Sequence, residues 1–148
     1  MHGSCLCGAV KFEILGPLSK LYQCHCSLCR KQGGSASNTA AVVSAENLRW
    51  LTGKELISYW VKESGFRSDF CSKCGSPVPN PLQEKPYYWV PVGLFDEDQQ
   101  PLEIALQLYV GSKASWDQAI GPGAQFETMP AGVEFIALLH GNKSGPKG

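Results

Sequence analysis

The 148-residue chain carries seven cysteines in three tight groups: Cys5-Leu6-Cys7, Cys24-His25-Cys26-Ser27-Leu28-Cys29 and Cys71-Ser72-Lys73-Cys74. An odd number cannot all pair as disulfides, and a bridge inside Cys-x-Cys would close a strained ring. Inert core cysteines would be scattered, not clustered. Paired thiolates at short fixed spacing are what metal sites use. Any fold open to this chain must therefore bring such pairs together around ions. Joining the first group to the third would close a loop of about seventy residues, so metal binding is expected to be coupled to folding.

Zinc is the expected metal, because it accepts thiolates in a tetrahedron and needs no particular ligand field. An iron–sulfur cluster is the rival, although the spacings Cys-x₂-Cys-x₂-Cys and Cys-x₄-Cys-x₂-Cys are absent. The seven ligands divide as four plus three. Cys5, Cys7, Cys71 and Cys74 make a closed, structural site, and Cys24, Cys26 and Cys29 offer three thiolates on one short loop. Three protein ligands with an open fourth position is the arrangement of catalytic zinc. Two ions per chain are expected, the second more easily lost. His25 or the distant His140 could instead close the second tetrahedron; a solvent-facing or substrate-facing role for His25 is the stronger expectation.

Thirteen basic residues balance thirteen acidic ones, and no apolar run approaches the length of a membrane span. A neutral chain with scattered basic residues gives no footprint for nucleic acid or an anionic membrane. The start, Met1-His2-Gly3-Ser4-Cys5, has no basic region followed by an apolar one, so the expected location is cytoplasmic.

Val10, Phe12 and Ile14 alternate with Lys11 and Glu13 in a half-buried strand. Further strands are expected at 21–23, 39–43, 48–51, 57–61, 66–70, 87–92 and 106–110, with one helical turn over 27–32 stopped by Gly33-Gly34. Thr52-Gly53 reads as a hairpin-like turn. Most of the four tryptophans are expected in the core. The fold class is mainly β. Residues 1–140 form the expected domain, and 141–148 a poorly ordered tail.

Several of these stretches resemble the glutathione-dependent formaldehyde-activating enzyme family. The resemblance lies in Gly3-Ser4-Cys5-Leu6-Cys7-Gly8-Ala9-Val10 with Phe12, in Cys24 to Lys31, and in Phe70-Cys71-Ser72-Lys73-Cys74-Gly75-Ser76-Pro77. It extends to Val110-Gly111-Ser112-Lys113-Ala114-Ser115-Trp116, with Ser115 where the family commonly has proline. It implies a single compact β-tent domain of short antiparallel sheets, with structural zinc on Cys5, Cys7, Cys71 and Cys74 and a catalytic zinc on Cys24, Cys26 and Cys29. The implied activity is that of a carbon–sulfur lyase, S-(hydroxymethyl)glutathione synthase in type, acting on a glutathione or similar thiol adduct of a small aldehyde such as formaldehyde. Arg30, Lys31 and Lys113 are candidates to hold the peptide's carboxylates. The alternative is a non-catalytic zinc-binding module that carries glutathione or docks a protein partner through an apolar patch.

Overall fold

A computed structural model describes residues 1–82, 86–96 and 101–141. In chain order its elements are β1 (His2–Ser4), β2 (Lys11–Ile14), β3 (Leu21–Cys24), α1 (Ser27–Gly33), β4 (Asn38–Ser44), β5 (Leu48–Thr52), β6 (Ile57–Val61) and β7 (Arg67–Cys71). They continue with β8 (Asn80–Pro81), β9 (Tyr87–Pro91), β10 (Ile104–Leu108), β11 (Ala124–Gln125) and α2 (Gly132–His140). Short strands and few helices make this a small, mainly β domain. The chain divides into two units, one of Met1–Leu18 with Val42–Pro101 and one of Ser19–Ala41 with Leu102–Gly148. Seven of the eight tail residues, 142–148, lie outside the described residues.

In the first unit, β2 sits between β1 and β5, antiparallel to both. Its alternation turns Phe12 and Ile14 inward, where they pack with Val43, Leu48 and Val90. Phe12 meets Trp50 edge-on at 6.1 Å. β6 and β7 form a separate antiparallel pair, from Ile57 opposite Cys71 to Val61 opposite Arg67. The hairpin expected at Thr52-Gly53 is therefore not formed, since β5 pairs with β2 and β6 with β7. Gly53 does adopt a left-handed backbone (φ 77°), but a Cβ there would collide with the Ala9 carbonyl oxygen. The turn is pressed against another segment, and the chain leaves it for a different sheet.

In the second unit, β3 is flanked by β4 and β10. Pairing with β4 is antiparallel, Cys24 lying opposite Asn38. Pairing with β10 is parallel, matching Gln107 to Gln23 and Leu108 to Cys24, and β10 is also parallel to β11. The expectation of antiparallel sheets throughout is corrected here. No short turn joins β3 to β10, and so long a connection permits parallel pairing.

The nine-residue helix α2 adds to the elements expected from the sequence. Phe135 and Leu139, one turn apart, are its buried residues, and Phe135 meets Tyr22 edge-on at 5.1 Å. Among the tryptophans Trp89 is buried and Trp50 half-buried, whereas Trp60 and Trp116 are 58% and 67% exposed. Trp60 is exposed on β6, whose last three residues all face solvent, and Trp116 is exposed in the segment after β10.

Candidate metal centre

The first unit gathers four cysteine sulfurs. Cys5 and Cys7 lie on the turn between β1 and β2, which the Cys5 N–H closes by bonding to the Val10 carbonyl. Cys71 ends β7, and the Gly75 N–H returns to the Cys71 carbonyl to fold the knuckle that carries Cys74. All four sulfurs lie within 4.8 Å of one another, and all seven cysteines are free thiols. A tetrahedral ion with metal–sulfur bonds of roughly 2.3 Å needs sulfur–sulfur edges of about 3.8 Å. Cys5–Cys7 and Cys7–Cys71 measure 3.7 and 3.9 Å. The Val10 N–H donates to Cys5 Sγ at 3.3 Å, a contact that favours anionic sulfur, and the Lys73 N–H donates to Cys71 Sγ at 3.4 Å. Donor type, spacing and supporting amides all fit a metal ion.

The second unit gathers Cys24, Cys26 and Cys29, again within 4.8 Å of one another. Cys24 closes β3. Cys26 caps α1, its Sγ accepting the Cys29 N–H at 3.4 Å, and Cys29 is the buried residue of that helix. Gly34, left-handed at φ 65°, ends the helix by donating to the Arg30 carbonyl. The stop expected at Gly33-Gly34 is where the helix ends. No histidine or carboxylate joins either cysteine cluster among the described residues.

His25 does not face solvent as expected. It is 3% exposed, its N–H donates to the Leu108 carbonyl at 2.9 Å, and its Nε2 lies 2.6 Å from Gln107 Oε1. Its Nδ1 is buried without a hydrogen-bond partner among the described residues, 3.6 Å from Asp117 Oδ2. A ring tied in this way is not free to close the metal site. Gln107 and Asp117 were missed by sequence reasoning. The available signal was a glutamine inside the otherwise apolar Ile104–Leu108 strand.

Protons are shared unevenly within each cluster. Hydrogen bonding with Cys24 and Cys29 draws the Cys26 thiol far below its ordinary value; the Cys26 contact holds Cys24 above its own, and contacts with Cys24 and then Cys26 hold Cys29 above its own. Hydrogen bonding with Ser76 brings Cys74 down to about 5. Burial pushes Cys5 up, as does the Cys74 contact, but the Val10 N–H and the Cys7 and Cys71 sulfurs prevail and the net shift is downward. The Ala9 N–H pulls Cys7 down, yet burial and the other three sulfurs outweigh it and push it up to about 11. Each cluster thus pairs ready thiolates with protonated neighbours, whose protons a bound cation would release.

The three cations proposed for substrate differ in setting. Arg30 is half-buried, with a buried Nε that has no hydrogen-bond partner among the described residues. Lys31 is exposed on α1. Lys113 is exposed and donates from Nζ to the Asp117 carbonyl at 3.3 Å. No helix among the described residues is long and apolar enough to cross a membrane.

Comparison with known proteins accords with these clusters. A Rhodobacter sphaeroides protein of known crystal structure aligns with 71% of this chain and 100% of its own, at a TM-score of 0.56 and 26% identity. A Halomonas elongata protein, provisionally named as a glutathione-dependent formaldehyde-activating enzyme, is 33% identical over 84 residues, or 53% of this chain. The match covers 54% of that relative, so the chain spans about half its length. The profile of the glutathione-dependent formaldehyde-activating enzyme family matches residues 1–112, a span that contains all seven cysteines. The chain belongs to that family.

Proposed function

We propose that the protein is a zinc-dependent carbon–sulfur lyase of the S-(hydroxymethyl)glutathione synthase type, joining glutathione to formaldehyde or a similar small aldehyde in a β-tent domain. The observation that carries this reading is the difference between the clusters: four cysteines gathered in one, three in the other with no further ligand among the described residues. Cys5, Cys7, Cys71 and Cys74 would hold a structural zinc ion. Cys24, Cys26 and Cys29 would hold a second ion with one position open. Zinc in such a site binds a substrate thiol and favours its deprotonated, nucleophilic form.

The chain's own residues supply the rest. The β3 terminus and the α1 cap hold the three sulfurs on one short loop, and a thiol bound there would gain orientation over free solution. Arg30, whose buried Nε has no partner among the described residues, and the exposed Lys31 and Lys113 would bind the peptide's carboxylates. They position glutathione without touching the carbon–sulfur bond. The free thiols suit a reducing, cytoplasmic compartment.

The test combines metal content with rate. Protein purified with zinc under reducing conditions should carry two zinc ions per chain and accelerate S-hydroxymethylglutathione formation above the spontaneous rate. Glutathione binding without acceleration would leave a carrier, and iron with acid-labile sulfide in place of zinc would overturn the assignment.

A further inference from the structure

Behind the three-cysteine loop lies a run of polar side chains that the proposed chemistry does not use. Gln107 is fully buried and His25 nearly so. Gln107 Nε2 is 2.8 Å from the Pro122 carbonyl oxygen and 2.8 Å from Gln23 Oε1. A peptide carbonyl only accepts, so the atom facing Pro122 must be the amide nitrogen, and its two protons go to Pro122 and Gln23. Gln107 Oε1 is then the atom left facing His25 Nε2 at 2.6 Å, and it can only accept. His25 Nε2 therefore carries a hydrogen. By the same logic Gln23 Nε2 is free to donate, and it does so to Thr39 Oγ1 at 3.0 Å on β4.

These bonds act on the metal ligands through the chain. His25 lies between Cys24 and Cys26, so whatever holds its ring and main chain also holds the backbone that carries both sulfurs. β10 grips this residue twice, through the Leu108 carbonyl and through the Gln107 side chain. The ring's other face meets Asp117 from the segment beyond β10, at 3.6 Å from Nδ1.

We propose that His25 and Gln107 are positioning residues of the three-cysteine centre: the Pro122 carbonyl orients the Gln107 amide, which holds His25 as an Nε2–H donor and so fixes the spacing of Cys24 and Cys26. This rests on the reading of that cluster as a metal site, but its first test does not. Outer-shell partners of metal ligands typically change metal affinity by roughly ten- to a hundredfold when removed.

The first measurement is nitrogen-15 NMR of the histidine-labelled full chain. The His25 ring should show a hydrogen on Nε2 that exchanges slowly with solvent. An Nε2 without hydrogen would overturn the proposal whatever the metal does. The second compares wild type and Gln107→Met loaded with cobalt. Gln107→Met keeps the volume and removes the acceptor. Gln107→Met should weaken cobalt at the three-cysteine centre roughly ten- to a hundredfold by chelator competition and alter its thiolate charge-transfer band, with the four-cysteine centre unchanged. Equal weakening of both centres in folded Gln107→Met would show general destabilisation and overturn the positioning role. A Gln107→Met that does not fold transfers the test to His25→Gln, which can still donate to Gln107 Oε1 and should outperform His25→Leu; equal affinities would overturn it. Absence of any second cobalt equivalent in wild type, with the expected His25 tautomer, would sink the metal reading alone.

Discussion

The Thr52 hydroxyl donates to the Ala9 carbonyl at 3.0 Å, which fastens the turn after β5 two residues beyond Cys7. Gly53 presses on the same carbonyl from a left-handed backbone. Gly53→Ala must relax both the φ angle and the contact, and neither neighbour is a flexible side-chain end. We expect a loss of about 1–3 kcal/mol in folding stability, measured by denaturant titration. The variant should also release the four-cysteine metal to chelator faster, because its ligand turn is what shifts.

The two clusters should respond differently to the loss of one sulfur. Cys71 is fully buried and packs with Cys5, Val10 and Val78. Cys71→Ala removes a ligand that joins distant segments, so the variant should fail to fold or become strongly chelator-sensitive. Cys26→Ala loosens one short loop, and the protein should stay folded with one metal fewer. Circular dichroism and elemental analysis of the pair decide it; identical unfolding would contradict the structural and catalytic roles.

Arg49 Nη2 donates to Glu13 Oε1 at 2.9 Å across the β2–β5 pair, and this bond holds the Glu13 carboxyl below its ordinary range. A carboxyl with a depressed folded pKa stabilises the fold above its unfolded pKa, and the benefit is lost as pH falls through the folded value. Acid titration should therefore show a small stability loss below the ordinary glutamate range that Glu13→Gln lacks. The arginine is mostly exposed, so added salt should shrink the difference. A Glu13→Gln curve parallel to wild type across that range would refute the linkage.

Phe135 anchors α2 by its edge-on contact with Tyr22. Phe135→Ala should cost about 3–5 kcal/mol if the cavity stays open. Hydrogen exchange should locate the damage: the Lys20 N–H, which bonds to the Leu139 carbonyl, should lose protection before the amides of β2. Uniform loss across both would mean that α2 is not held by this contact.

What could be read from the sequence was local. The Lys11–Ile14 alternation, the Gly34 stop and the cysteine knuckles are encoded within a few residues, and each lies where its pattern put it. What could not be read depends on distant partners. Whether Thr52-Gly53 makes a hairpin is decided by Ala9, and whether β10 runs parallel to β3 is decided by a connection of about eighty residues. His25 reads as a free polar residue until Gln107 is placed beside it. Asp117 carries no pattern of its own and gains meaning only from its distance to the His25 ring.

The 82-residue separation of His25 from Gln107 has a consequence for biosynthesis. A ribosome adding about 5–20 residues per second makes Cys24, Cys26 and Cys29 several seconds before the strand that grips them. During that interval the loop is already complete as a set of donors but has no fixed shape. The nascent chain thus presents three unprotected thiols to the cell's metal pool and oxidants, and metal capture at this stage would shield them before β10 emerges.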